Sequence, residues 1–549
     1  MNRRQGETII VNPRTTTLFA LLSLVVAVTL SAEPNIKDSW HQWRGPNNNG
    51  VAEGDAPLNF SNTENVKWKI TVPGKGNSTP VIWGDTIFLT TAIPTEPMPE
   101  GPADGGRRAG RGGPPRRGGP GGGGPGGRGG FDAARMMERL PEEQRKQAEA
   151  LLKDRDISDL NDEERQQFRE IMRSAFAGRG GPGGGPGGRG GPGGPGAGPG
   201  ERRGRGGPGG ASPALVKHKF VVMAIDKNTG KVLWEQTATE QTPHEGYHRQ
   251  YGSFASNSPV TDGEMLYVNF GSRGLYAYDL AGNLKWKKDL GKLQMRNAFG
   301  EGIAPVLHGN HLIIQNDNEV DSYIVVLDKR NGKETWRKKR DEVSSWPQPI
   351  VVQYNGQNQL ITSATHIRAY ELETGKLIWE TAGLGGNAIP AVVNVDNEMV
   401  IAMTGWRDAN AIAVKLGGSG DLTDNADYIA WSNQKGNSYT ASPVLHDGIL
   451  YFITDRGMVN AVDAKTGKPF YLQQRLPEVY SFKASPVAAN GKLYLATEQG
   501  DVVVLKLGKT YEVLTTNKMG DEMFVSSPVV VGGDLFLRSQ DELFCISSD

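Results

Sequence analysis

One phrase recurs along the chain and constrains the fold more than any other feature. It reads AIDKNTGKVLWE from Ala224 to Glu235, returns as VLDKRNGKETW, AYELETGKLIW and AVDAKTGKPFY, and has a shorter version, AYDLAGNLKW. Asp226 suits the start of a turn, Gly230 supplies the positive φ that a short β-loop needs, and Trp234 follows on the next strand. The phrase is a β-hairpin, and its repetition indicates a repeat architecture rather than a single active site.

A second marker repeats with a similar period. A small or polar residue precedes a proline that opens an apolar run, and this occurs at Pro80, Pro259, Pro305, Pro349, Pro390, Pro443, Pro486 and Pro528. From the second of these prolines onward the spacings are 46, 44, 41, 53, 43 and 42 residues, and most units show four predicted strands. Four-stranded units of about 40 to 50 residues are typical of propeller blades. The sequence predicts an all-β, eight-bladed β-propeller.

The two ends of the repeat region predict how the ring closes. The eighth unit ends after three strands, whereas the N-terminal stretch NVKWKITV (Asn65–Val72) is an outer strand with no unit before it. We expect this strand to complete the last blade, because closure removes the unpaired edges. We also expect a tryptophan, or a substitute aromatic residue, to dock structurally in the same way in each repeat. The tryptophans concerned are Trp68, Trp234, Trp286, Trp336, Trp379 and Trp431.

A long insertion interrupts the first blade. Pro80 and Pro259 are 179 residues apart, and we assign residues 94–217 to a low-complexity insertion between propeller segments 33–93 and 218–549. Its flanks are rich in Gly, Arg and Pro and cannot bury enough apolar surface to order themselves. Residues 131–177 between them show helical periodicity and predict a short helical hairpin. The insertion is read as a solvated linker or, alternatively, as a polyanion-binding module acting through its arginines.

The N-terminus and the cysteine content bear on location. Residues 1–32 have early arginines, an apolar core at Leu18–Leu30 and small residues before position 33, as in a cleaved secretory signal peptide. An uncleaved anchor is the alternative. The single cysteine, Cys545, excludes an intramolecular disulfide and a cysteine-based metal cluster. We expect an exported protein of the periplasm, cell envelope or exterior, monomeric and without a transmembrane segment after cleavage. The formal net charge of 0 gives no case for specific nucleic acid binding.

The repeats resemble the PQQ-type β-propeller family, which includes quinoprotein alcohol dehydrogenases and the non-enzymatic outer-membrane assembly factor BamB. The resemblance covers residues 40–92 and 213–549, and WHQWRGPNNNGV (Trp40–Val51) is similar to exported members. It implies an eight-bladed fold but not a bound quinone. The dehydrogenases use a calcium ion held by acidic and amide side chains, a catalytic Asp, a Trp under the quinone and often a vicinal Cys–Cys bridge. This chain lacks the bridge, and no spacing selects Asn297, Glu301 and Asp317 as calcium ligands.

The stretch HEGYH (His244–His248) matches the H-E-x-x-H pattern, in which two histidines one helical turn apart bind zinc. Gly246 lies inside it, the segment falls in a loop, and no third ligand is evident. An enlarged surface loop is the alternative interpretation, and it is the one that we favour.

The leading functional hypothesis is an exported, non-catalytic scaffold that binds a protein or another cell-envelope component and needs no cofactor. The alternatives are a dehydrogenase dependent on PQQ and calcium, and the polyanion-binding module. In a propeller, the loops between second and third strands emerge on the same face as the loops joining the blades, so the insertion should rise from that face. Aromatic and Arg side chains are enriched at binding hot spots. The predicted partner-binding residues are His244, Tyr247, His248, Arg249, Tyr251, Arg296, Phe299, Glu301 and Trp346.

Overall fold

A computed structural model describes residues 39–97, 142–152, 167, 171, 215–406 and 408–548. The chain divides into two compact units, one within Met1–Ala103 and Arg205–Asp549 and the other within Asp104–Gly204. The first unit holds all the described strands, and its sheets form an eight-bladed propeller ring. The predicted fold class is confirmed.

Each blade opens with a short inner strand that begins one residue after an opening proline, or three residues after it in blade 5, and runs outward through antiparallel neighbours. Blades 1 and 2 contain β3 (Val81–Trp83), β4 (Thr86–Pro94), β5 (His218–Asp226) and β6 (Val232–Gln241), then β7 (Val260–Thr261), β8 (Met265–Asn269), β9 (Leu275–Asp279) and β10 (Leu284–Lys288). Blades 3 and 4 contain β11 (Val306–His308), β12 (His311–Asn316), β13 (Tyr323–Asp328) and β14 (Glu334–Lys339), then β15 (Ile350–Tyr354), β16 (Gln357–Ser363), β17 (Ile367–Glu371) and β18 (Leu377–Thr381).

The second half of the ring follows the same order. Blades 5 and 6 contain β19 (Val393–Val395), β20 (Met399–Thr404), β21 (Asn410–Lys415) and β23 (Ile429–Asn433), then β24 (Val444–His446), β25 (Ile449–Ile453), β26 (Met458–Asp463) and β27 (Pro469–Arg475). Blades 7 and 8 contain β28 (Val487–Ala489), β29 (Lys492–Ala496), β30 (Asp501–Lys506) and β31 (Val513–Lys518), then β32 (Val529–Val531), β33 (Asp534–Arg538) and β34 (Glu542–Ser547). Short 3₁₀ helices span Gly271–Arg273 and Arg296–Ala298.

The N-terminal strand closes the ring as the sequence predicts. Strand β2 (Val66–Thr71) pairs antiparallel with β34 and supplies the outer strand of blade 8, with Trp68 opposite Cys545. The blade therefore combines one strand from the beginning of the chain with three from its end. This pairing covers the edge that β34 would otherwise expose.

Five tryptophans link neighbouring blades through one repeated contact. The indole N–H of each donates to the carbonyl one residue after the turn-starting acid of the next blade, at 2.7 to 3.0 Å. The pairs are Trp68–Lys227, Trp234–Leu280, Trp286–Lys329, Trp336–Leu372 and Trp431–Ala464. The indole ring of the tryptophan also lies against the turn glycine of the next blade. A Cβ on Gly230, whose φ is +73°, would stand 2.8 Å from the Trp68 indole. The phrase therefore encodes an inter-blade contact.

Trp379 departs from this pattern. It is fully buried, and its indole nitrogen has no hydrogen-bond partner among the described residues. The turn in blade 5 reads KLGGSGDLTDNADY instead of the repeated phrase, and it adds a strand, β22 (Gly420–Asp421), that pairs with β18 beside Trp379. The longer turn covers the indole instead of offering it a carbonyl.

An N-terminal hairpin fills the middle of the ring, which the sequence did not predict. We call Ser39–Gly54 the axial hairpin; it includes β1 (Val51–Ala52), which runs parallel to β28. Trp40 exchanges two 2.9 Å backbone hydrogen bonds with Ile82, and Thr261 N donates to the His41 carbonyl. These partners lie on inner strands of blades 1, 2 and 7, so the hairpin occupies the axis.

Arg44 at the tip of the axial hairpin is buried, and burial lowers the pKa of its guanidinium to about 9. It donates to the carbonyls of Asn49, Pro443 and Pro486, so it joins the tip to blades 6 and 7. Gly50, with φ of +75°, leaves the space that this side chain occupies, because a Cβ there would lie 2.7 Å from the guanidinium. The tip is thus fixed by a buried cation among carbonyl oxygens.

Within the insertion, one helix, α1 (Glu142–Leu152), is described, and residues 167 and 171 are also helical. It falls inside the predicted helical segment 131–177, and Glu142 pairs with Lys146 one turn later at 3.2 Å. The rest of the predicted hairpin, its Gly-rich flanks and the predicted signal peptide lie outside the described residues. In the part of the chain that is described, no helix is long and apolar enough to cross a membrane.

Candidate binding cavity

A cavity of about 230 Å³ lies where the blade-joining loops surround the axis. Its walls are rich in aromatic side chains contributed by separate blades and by the axial hairpin. They are Trp43, His248, Tyr251, Phe299, Trp346 and Tyr439. The cavity lies on the face where β4 ends, the insertion leaves the blade and β5 begins, because the residues before the opening prolines line it. A second cavity, lined by Trp40, Gly54 and Val531, lies at the opposite end of the axial hairpin.

The cavity floor is built from the residue before each opening proline. We call these eight the pre-proline ring: Thr79, Ser258, Ala304, Gln348, Ile389, Ser442, Ser485 and Ser527. All except Ser442 line the cavity. At five of the eight seams, a backbone N–H of one blade donates to a side-chain hydroxyl of the pre-proline ring in the next blade. The small or polar residue that marks each repeat in the sequence is therefore a cavity-lining position.

The structure brings together five of the nine residues predicted for this face. His248, Tyr251, Phe299, Glu301 and Trp346 all line the cavity. The indole of Trp346 donates to the Gly300 carbonyl at 2.9 Å, which fixes the orientation of the ring.

The other four predicted residues do not line the cavity. Tyr247 is buried, packing edge-on against Phe254 with ring centroids 4.6 Å apart, and therefore supports the loop from behind. His244 hydrogen bonds to the Leu293 carbonyl at 2.6 Å, and Arg296 donates to Asn387 at 3.2 Å. Arg249 is half-buried, outside the lining.

Sequence reasoning missed several lining residues. Trp43 comes from the axial hairpin, and Tyr439 and Lys483 come from the loops before blades 6 and 7. The pre-proline positions were visible in the repeat pattern, and their shared place in every blade could have identified the floor. Trp43 had no such signal, because its segment occurs once.

His248, Tyr251 and Lys483 lie together on one side of the cavity. The His248 ring stacks on Tyr251 with centroids 3.6 Å apart, and Lys483 Nζ lies 4.7 Å from the Tyr251 centroid. Burial, followed by the charges of Lys483 and Lys75, lowers the pKa of His248. Burial raises the pKa of Tyr251 to about 12, so both rings are neutral at pH 7.

The acidic groups near the cavity are held by internal partners. Glu301 accepts from Arg273 Nη1 and from the Ser272 amide, both at 2.6 Å. Asp455, which does not line the cavity, pairs with Lys483 at 2.5 Å and accepts from the Thr440 backbone and hydroxyl. Glu301 and Lys483 are the charged lining groups among the described residues.

The calcium ligands considered from the sequence do not fit that role. Asp317 is fully buried and accepts from both Arg340 Nε and Nη2, while Glu301 is paired with Arg273. Asn297 is exposed, with φ of +51°. Two of the three oxygen donors are therefore neutralised by arginines, and the described residues do not form a calcium site from this set.

The HEGYH stretch does not form a two-histidine zinc site. It lies in a loop, where His248 stacks on Tyr251 and His244 Nε2 donates to a carbonyl. His244, Glu245 and Glu301 instead have ligand-type atoms within 4.8 Å of one another. Burial raises the pKa of Glu245 to about 7, and its carboxylate accepts from the Met295 amide. All three side chains make hydrogen bonds within the loops.

Comparison with known proteins gives a family match over part of the chain. Residues 218–471 match the family model described as outer membrane protein assembly factor BamB. No curated protein matches significantly. Among solved structures, BamB from Moraxella catarrhalis is similar at 13% identity and a TM-score of 0.43, over 60% of this chain and 89% of that one.

Two further solved structures are similar at the same level. Quinohemoprotein alcohol dehydrogenase from Comamonas testosteroni shows 12% identity and a TM-score of 0.44, over 61% of this chain and 73% of that one. The computationally designed Ika8 protein shows 12% identity and a TM-score of 0.42, over 60% and 93%. The repeated phrase, the eight four-stranded blades and the match of residues 218–471 to the family model together support a PQQ-like β-propeller.

Proposed function

We propose that this protein is an exported, non-catalytic β-propeller scaffold that binds another polypeptide of the cell envelope through the aromatic cavity. The observation that carries the proposal is the set of aromatic side chains converging on that cavity from separate blades. The family description, which names an outer membrane assembly factor, supports an envelope location and a role in protein assembly.

The cavity has the chemistry of a protein-binding hot spot. Tryptophan and tyrosine dominate the energetics of such sites because they bury large areas and lose few side-chain torsions. Here the rings are already held: Trp346 by its hydrogen bond to Gly300, and Tyr251 by stacking on His248. A partner would therefore meet a preorganised surface, which lowers the entropy lost on binding.

The internal use of charged groups supports a binding role over a catalytic one. A general base or a metal ligand needs a lone pair that faces the substrate or the ion. The Glu301 carboxylate is directed instead to Arg273 and to the Ser272 amide, and the pair is almost completely buried.

The proposal can be tested by capture from envelope extract of the native host. Trp346→Ala and Tyr251→Ala each remove one cavity wall, while Leu472→Ala removes an exposed apolar side chain, 43% accessible, from the outer strand of blade 6. We expect both cavity variants to lose the captured polypeptide and the Leu472 variant to retain it, with all three melting like folded propellers. Equal recovery by all three folded variants would contradict the proposal.

A further inference from the structure

Four hydroxyl groups in the pre-proline ring have a hydrogen that is not donated in any hydrogen bond among the described residues. Thr79, Ser258, Ser485 and Ser527 are each at most 5% exposed and line the cavity. Each hydroxyl oxygen accepts a backbone N–H, at 2.9 to 3.2 Å. A hydroxyl can accept and donate at once. None of the four donates to an acceptor within the part of the chain that the structure describes.

These four hydroxyls form one continuous side of the floor. They belong to blades 7, 8, 1 and 2, which are adjacent in the ring, and we call them the hydroxyl arc. The opposite side comes from blades 3 to 5 and carries Ala304 and Ile389, with the Gln348 amide between them, and Phe299 and Trp346 line the same side. The cavity thus has one side rich in hydrogen-bond donors and another on which apolar side chains flank a single amide.

Lys483 gives the donor side a cationic nitrogen, and the carboxylate that pairs with it, Asp455, lies outside the lining. Lys483 shares the cavity with the hydroxyl arc, and the Glu301 carboxylate is neutralised by Arg273. Asp455, which balances Lys483, and Glu498, 3.9 Å from it, do not line the cavity. A group that presents two acceptor oxygens would satisfy donors that are otherwise buried without a partner, and an unmet buried donor is unfavourable.

The size of the cavity limits what can enter. Its 230 Å³ is below the ~300–1,000 Å³ of common small-molecule sites. One amino-acid residue with its terminal carboxylate matches this space better than a cofactor-sized ligand. Capture of a peptide carboxylate by convergent donors is a known mode of recognition.

We propose that the cavity binds the free C-terminal carboxylate of a partner polypeptide, with the oxygens on the hydroxyl arc and an apolar last side chain against Ile389, Phe299 and Trp346. This inference rests on the proposed protein-binding function and specifies the part of the partner that is recognised. It makes the identity of the terminus, rather than an internal sequence, the determinant of binding.

A matched pair of peptides tests the inference directly. The ligands are N-acetylated ten-residue Gly/Ser peptides ending in phenylalanine, one with a free carboxylate and one with a C-terminal amide. Binding is followed by the fluorescence of the protein, because Trp43 and Trp346 line the cavity. We expect the free acid to bind at least tenfold more tightly than the amide, since hydrogen bonds to a charged acceptor are worth about 1.5–3 kcal/mol.

Two serine variants separate carboxylate recognition from ring stability. Ser527→Ala and Ser442→Ala each remove a hydroxyl that accepts an inter-blade N–H, but only Ser527 lines the cavity. Ser527→Ala should weaken binding of the free acid by about tenfold and leave amide binding unchanged. Ser442→Ala should leave both affinities unchanged, although it should lower the melting temperature to a similar extent.

The outcomes distinguish this inference from the proposed function. Equal binding of acid and amide, or equal effects of the two serine variants, would overturn carboxylate recognition while leaving the aromatic cavity as a protein-binding site. If neither peptide binds but capture of the partner still depends on Trp346, carboxylate recognition is likewise overturned and the protein-binding site remains. Tighter binding of an oligosaccharide than of either peptide would overturn both carboxylate recognition and the proposed protein-binding function.

Discussion

Replacing Trp68 with alanine should weaken the seam at which the N-terminal strand closes the ring. The indole is 9% exposed, donates to the Lys227 carbonyl at 2.9 Å and lies over Gly230 of blade 1. Truncating a buried aromatic side chain typically costs about 3–5 kcal/mol. With an unfolding entropy of about 2.1 cal/mol/K per residue, a unit of roughly 390 residues would melt about 4 to 6 °C lower. Trp68→Phe, which removes mainly the N–H donor, should cost only about 0.5–1.5 kcal/mol.

Trp431→Ala is the matched control, because Trp431 makes the same contact to Ala464 at an internal seam. Both variants should lose similar stability in a thermal melt. Only Trp68→Ala should increase hydrogen–deuterium exchange across β2, whose anchor at the closure it removes. A Trp68→Ala protein that melts like the parent, or β2 exchange that rises equally in both variants, would refute the reasoning about closure.

Four other predictions follow from the sequence and the structure. N-terminal sequencing of protein from the native host should begin close to Glu33, and an intact Met1 would defeat the predicted signal cleavage. Burial lowers the pKa of His41 from 6.5 to about 4, so the unfolded state binds more protons than the folded state between these pH values. The free energy of unfolding should therefore fall by about 3 kcal/mol as the pH drops from 6.5 to 4. The melting temperature of His41→Phe should depend less on pH over this range. Asp317→Asn leaves the Arg340 guanidinium buried without its counter-charge, and calorimetry should show a loss of about 3–5 kcal/mol in the free energy of unfolding. If this variant loses less stability than a variant at a distant surface position, the ion pair does not have the stabilising role assigned to it. Replacing residues 96–216 with a short Gly-Ser loop should leave the circular dichroism and melting of the blades unchanged, because Thr95 N already bonds the Lys217 carbonyl at the neck of the insertion.

The blades and the closing strand were predictable from sequence because their information is local and repeated. Each turn phrase lies within about a dozen residues, and its glycine and tryptophan recur with the period of the fold. The missing fourth strand of the last unit, together with the unpartnered strand at Asn65–Val72, was enough to assign β2 to blade 8. The docking contact itself could not be read, because the carbonyl that accepts the indole hydrogen belongs to the neighbouring blade.

The axial hairpin was not predictable because its partners are far away in sequence and occur once. Arg44 contacts the carbonyls of Pro443 and Pro486, about 400 residues later, and nothing in the residues near it marks those acceptors. The same reason explains the cavity: Trp43, Tyr439 and Lys483 meet only because the ring closes. Trp379 was predicted to dock like its counterparts because the departure lies in the turn of the next blade.

Site-specific photo-crosslinking in the native host tests the central claim, that the partner binds at the cavity face. One protein carries benzoylphenylalanine in place of Trp346 at the cavity wall, and another carries it in place of Asn228, in the exposed turn between β5 and β6 on the opposite face. We predict a discrete polypeptide adduct from position 346 and none from position 228. An adduct from position 228 alone, or the same adduct from both positions, would contradict the account.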